Sequence, residues 1–165
     1  MRELKALSED AIESALAKAE RYRFLNEPGE AESICLDILR IDQTNQPARI
    51  NLLLALTDQF GELPGAHDRA REALTYLHSP YDQAYYAGII AERRAKAQLT
   101  RTGAASTGAY DWLVEAMNHF ERAEAIRPPG NDDARLRWNA CVRFLQRHPH
   151  LRPATDERAE IEMLE

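Results

Sequence analysis

Ala116-Met117-Asn118-His119-Phe120-Glu121-Arg122-Ala123-Glu124-Ala125-Ile126-Arg127-Pro128 sets a small, a large aromatic and a small residue four and three positions apart, with a proline five further on. Spacings of three and four return to one face of an α-helix, so Ala116, Phe120 and Ala123 share a buried stripe. Pro128 lacks a backbone N–H and cannot continue that helix. Upstream, Trp112 and Leu113, and downstream Ile126, extend the same face and predict a helix over about 109–126.

Working outward, the same periodicity recurs on both sides. A first helix over about 10–25 carries Ala11, Ile12, Ala15, Leu16, Ala19, Tyr22 and Phe24 or Leu25, with Ser8 as its cap. Asn26-Glu27-Pro28-Gly29 breaks it. A second, about 30–41, presents Ala31, Ile34, Cys35, Ile38 and Leu39. Asn45 and Pro47 open a third, led by Ile50, Leu52, Leu53, Leu54 and Leu56. Gly61 to Gly65 ends it, and a fourth over about 66–78 shows Ala70, Ala73, Leu74 and Leu77.

Pro80 starts a fifth helix, to about 99, whose Ala84, Ala87, Gly88, Ala91 and Ala95 form a stripe of small residues suited to close helix approach. The glycine-containing segment 100–108 reads as a loop. Asn131, Asp132 and Asp133 begin a seventh helix with Ala134, Leu136, Trp138, Cys141, Val142 and Leu145 on its face, closed by His148-Pro149. Residues 1–148 are expected to form one helical domain. Residues 149–165 are left as a polar tail or a short docking helix, with Thr155 as cap and Ile161 and Leu164 as its apolar pair. No alternating run rich in Val, Ile and Thr predicts a strand, so the fold class is all-α.

Three helical hairpins call for a test of internal repetition. The order small, large aromatic, small, proline at Ala116, Phe120, Ala123 and Pro128 resembles the second helix of the tetratricopeptide repeat. The first hairpin is similar through Ala19, Tyr22, Ala31, Cys35 and Ile38, with Gln43 at the proline position, and the second through Ala70, Leu74 and Leu77. The equivalent alanines Ala31, Ala70 and Ala116 stand 39 and 46 residues apart, against about 34 in the family. About three irregular copies are therefore expected. The resemblance implies a right-handed superhelix of stacked antiparallel hairpins, with Trp138 on a C-terminal capping helix.

It also implies a concave groove lined by the first, third, fifth and seventh helices, which holds a partner protein or peptide. Arg23, Tyr85, Arg93, Asn139 and Arg143 are the partner-contacting residues this geometry nominates. One subgroup of the family grips peptide C-termini with a clamp of lysines, asparagines and an arginine. Leu16 and Glu20 stand near those positions here, and that activity is not carried over.

Composition limits the other classes. Lys and Arg number 21 against 27 Asp and Glu, a formal charge of -6, which disfavours general attachment to nucleic acid or anionic membrane. The opening residues read as no secretory signal, no run of residues reads as a membrane span, and a cytoplasmic protein is expected. Cys35 and Cys141 sit among apolar neighbours and are read as small hydrophobes. His148 and His150 flank Pro149 without a cysteine or carboxylate at ligand spacing, so no metal site is assigned. No nucleophilic signature and no phosphate-binding glycine loop occurs, and no cofactor is expected. Arg93-Arg94 with Lys96, and Arg135, Arg137 and Arg143, form basic clusters whose plain reading is solvated helix faces.

The leading expectation is thus a non-enzymatic interaction scaffold of open oligomeric state, with a homodimer allowed for. A small acidic secretion chaperone of the same repeat type is the alternative, and an enzyme subunit stands behind both.

Overall fold

The structure, a computed structural model, describes residues 2–102 and 108–153. A 3-10 turn, Glu9–Ala11, leads into α1 (Ile12–Phe24), α2 (Pro28–Ile41), α3 (Gln46–Thr57), α4 (Ala66–Thr75), α5 (Pro80–Thr102), α6 (Ala109–Ala125) and α7 (Asp133–Arg147). Among the described residues there is no strand, and the all-α expectation holds. None of the described helices is long and apolar enough to cross a membrane. The chain divides into two compact units, residues 1–78 with α1 to α4 and residues 79–165 with α5 to α7.

In the first unit each helix packs on the next in sequence, and α1 also meets α3. The inward stripe is fully buried at Ala19, Ala31, Cys35, Ile38, Leu53 and Ala70. Local chemistry sets the boundaries. Asn45 caps α3 as expected, its Oδ1 accepting the Ala48 N–H at 2.9 Å. Gly65 ends the α3–α4 connection at φ 77°, a left-handed backbone that suits glycine.

In the second unit α6 packs against both α5 and α7. Ala91 and Ala95 of the small-residue stripe are buried on α5, and Ala116, Phe120 and Ala123 are all fully buried on α6. A β-carbon built on Gly88 would stand 2.5 Å from Phe120 Cε1, so the α5–α6 approach depends on glycine at that position. Phe120 alone contributes about 2 kcal/mol through its complete burial.

Several local expectations are corrected. Ser8 makes no side-chain cap; its carbonyl instead accepts the Ala11 N–H at 3.1 Å, which closes the 3-10 turn. Pro28 does not break the chain but opens α2, because the first helical position needs no N–H and proline's fixed φ suits it. Phe24 (86% exposed), Leu25 (61%), Leu136 (64%) and Ile126 lie outside the core, since each falls at a helix end or off the packed stripe. The segment expected as a loop from residue 100 continues α5 to Thr102. Residues 103–107 lie outside the described residues, as does the tail from 154 with its proposed Thr155 cap and Ile161–Leu164 pair.

Candidate functional site

The five nominated residues divide between the units. Arg23, on α1, is half-buried and donates through Nε to Asp58 Oδ2 at 2.9 Å, tying α1 to the end of α3. Tyr85, on α5, is built into an aromatic cluster. Its ring stacks on Tyr81 at 5.8 Å, meets Tyr86 edge-on at 5.1 Å and tilts against Phe120 at 5.8 Å. Burial pushes the neighbouring Tyr86 phenol up to about 12. Arg93 is half-buried, whereas Asn139 and Arg143, four apart on α7, are exposed on one face.

The second unit also holds a charge cluster that the basic-face reading missed. Glu92 is fully buried on α5, ion-paired to Lys96 one turn on and 3.6 Å from Arg137 Nη1 of α7. Burial disfavours the Arg137 charge, but Glu92 and a hydrogen bond with Tyr85 outweigh it and hold the guanidinium above its ordinary range. Arg137 and Lys96 are therefore partners of an interior carboxylate, not simply a solvated face. The signal was present, because Glu92 follows Gly88 by four and precedes Ala95 by three, which places it on the packed stripe.

The first unit holds an open cleft of about 450 Å³ among α2, α3, α4 and the turns beside them. Its floor is Leu52 and Leu56 of α3, both buried; Leu36 of α2 (41% exposed) and Tyr76 (51%) form an apolar rim. Two turns shape it. The Asp42 carboxylate accepts from Thr44 N–H at 3.2 Å, Thr44 Oγ1 at 3.1 Å and Asn45 Nδ2 at 3.0 Å. The bonds from Asn45 and Thr44 favour the ionised form and hold the Asp42 carboxyl below its ordinary range. Gln46 fastens the segment after α4 to the start of α3, donating to Tyr76 O at 3.2 Å and accepting from His78 N–H at 2.8 Å.

Two arginines line the cleft, and their situations differ. Arg69 of α4 is ion-paired to Glu32 of α2, which also accepts from Gln59 Nε2 at 2.9 Å. Arg49 of α3 lies over the Tyr76 ring, 4.5 Å from its centroid, and gives one Nη2 bond to Gln43 O at 3.1 Å. Its Nε is buried and has no hydrogen-bond partner, and among the described residues no carboxylate is within salt-bridge distance of it. The cleft therefore combines apolar walls with one guanidinium whose charge is not locally neutralised. No sequence motif marks it, since Leu36, Arg49 and Tyr76 come from three separate segments.

Other titratable groups are occupied otherwise. His148 stacks on Phe144 with centroids 4.2 Å apart, its Nδ1 lying 2.8 Å from Phe144 O, and His150 meets it edge-on at 5.8 Å. Among the described residues no three His, Cys, Asp or Glu side chains gather as metal ligands would. Cys35 and Cys141 are free and fully buried, and burial raises both thiols to about 12.

Compared with family models, curated proteins and solved structures, the chain matches none.

Proposed function

We propose that this chain is an interaction scaffold of tetratricopeptide type that holds a segment of another protein in the α2–α3–α4 cleft, by complementarity and without a reaction or cofactor. The observation that carries the reading is the cleft itself, with a leucine floor, an exposed Leu36–Tyr76 rim and Arg49, which has no carboxylate within salt-bridge distance among the described residues. Sites that take ligands are concave and mostly apolar, with few polar groups placed to orient the guest. The repeat assignment is supported by the packing of consecutive helices within each unit, by the meeting of α1 with α3, and by the full burial of the Ala116–Phe120–Ala123 set. This cleft differs from the groove that the resemblance implies, because it draws on the second helices α2 and α4 as well as α3.

The exposed pair Asn139 and Arg143 on α7 remains the competing surface. Affinity capture from native lysate with wild type, Leu36→Asp and Arg143→Glu chains separates them. The expected result is a partner lost with Leu36→Asp and kept with Arg143→Glu. A partner retained by Leu36→Asp and lost with Arg143→Glu would transfer the function to α7 and overturn the cleft assignment.

A further inference from the structure

We infer that the segment held by the cleft is an acidic, aliphatic peptide, whose Asp or Glu carboxylate seats on Arg49 while an adjacent aliphatic side chain covers Leu36 and Leu52. This rests on the reading of the cleft as a partner site and names the chemistry of its guest.

Charge complementarity is the argument. A guanidinium laid flat on an aromatic ring keeps its edge N–H donors for a planar acceptor, and a carboxylate matches that edge with two oxygens. Arg49 holds its guanidinium carbon over the Tyr76 ring, 4.5 Å from the centroid, and gives one Nη2 bond to Gln43 O. Arg49 lines the cleft and has no counter-charge within salt-bridge distance among the described residues, so a carboxylate entering the cleft meets a guanidinium that nothing there neutralises. A peptide carbonyl would also accept, but a charge-assisted bond is roughly twice as strong as a neutral one, which selects the acid. Arg69 does not compete for it, being ion-paired to Glu32.

The same wall limits how acidic the guest is. Glu72 of α4 lines the same cleft as Arg49, so a polyanion meets repulsion there as well as attraction, as it does from the formal charge of -6 on the whole chain. One carboxylate beside an apolar side chain fits; a nucleic-acid backbone does not. The apolar half of the guest has its place on the buried Leu52 and half-exposed Leu36.

The test is selection of a displayed library of random peptides on the full-length chain, run in parallel on Arg49→Glu and Leu36→Asp chains. Recovered peptides should be enriched for Asp or Glu next to Leu, Ile, Val or Met, and both variants should abolish that enrichment. Calorimetry with one recovered peptide should show binding weakened about tenfold or more by Arg49→Gln, with part of the loss restored by Arg49→Lys. Circular dichroism and the urea midpoint establish that each variant is folded; Arg49→Gln, the milder change, serves if Arg49→Glu is not. Peptides enriched without an acid, yet lost with Leu36→Asp, would overturn the carboxylate claim and leave the cleft as a partner site. No enrichment, or enrichment that Leu36→Asp does not touch, would overturn both.

Discussion

Gly88 of α5 and Phe120 of α6 meet so closely that Phe120 Cε1, Cδ1 and Cζ would all come within 3.0 Å of a β-carbon on Gly88. The small-residue stripe on α5 and the large aromatic on α6 are thus two halves of one contact. Replacing Gly88 by Ala adds about 1 kcal/mol of intrinsic helix preference, but forces a fully buried ring to move. The overpacking term, typically about 1–3 kcal/mol, is expected to win. Gly88→Ala should lower the urea unfolding midpoint, and Gly88→Ala with Phe120→Leu should lose less than the two single changes added together. Strict additivity would remove the contact from the account.

Glu92 is the buried acid that joins α5 to α7 through Arg137. Its removal leaves Arg137 and Lys96 without their counter-charge, but both are more than a third exposed and reach water. Glu92→Ala is therefore expected to cost about 1–3 kcal/mol, below the full penalty for breaking an enclosed pair. Lys96→Ala should cost clearly less, because Glu92 keeps Arg137. Chemical unfolding of the two variants measures the order, and an equal or inverted pair of losses would contradict it.

Cys35 and Cys141 should be silent in the folded chain. Both are fully buried and their thiols are raised to about 12, so neither access nor thiolate is provided at neutral pH. A colourimetric disulfide reagent should titrate neither thiol in buffer and both in denaturant. Rapid native labelling of either would show that its helix opens far more readily than its packing implies.

His119 on α6 supplies a pH dependence whose sign is fixed. Burial lowers its pKa from 6.5, and Arg122 adds to this while Glu115 opposes it. The unfolded chain then binds the proton more readily than the folded one, so this group's stabilisation is complete above 6.5 and is lost as pH falls from 6.5 through the folded value. The loss in urea midpoint on crossing that range should be smaller in His119→Gln than in wild type. An equal or larger loss in the variant would contradict the assignment.

The helices were largely legible in the sequence and the cleft was not, for one physical reason. Periodicity reports burial along a single helix, so the Ala116–Phe120–Ala123 stripe and the Asn45 cap announce themselves locally. Phe24, Leu25 and Leu136 carried the right residue type but fall where nothing in their unit covers them, which spacing alone does not register. Glu92 was legible in principle, since it occupies the α5 stripe, but a charged residue in a basic-looking run draws the eye to solvent. The cleft joins Leu36, Arg49 and Tyr76 across three segments, and the state of Arg49 depends on which carboxylates the fold brings near it. Glu32 is delivered to Arg69, and among the described residues Arg49 receives none.

That difference between the two arginines supports the central claim, and the Arg49 side chain itself reports on it. Its Nε–H resonance in a nitrogen–proton correlation spectrum, identified by its disappearance in Arg49→Lys, should shift as an acidic, aliphatic peptide from the selection is added and its carboxylate meets the guanidinium, together with backbone signals of Leu36, Leu52 and Tyr76. A peptide that binds while the Arg49 Nε–H stays unmoved, and whose perturbations gather instead around Asn139 and Arg143, would contradict the account.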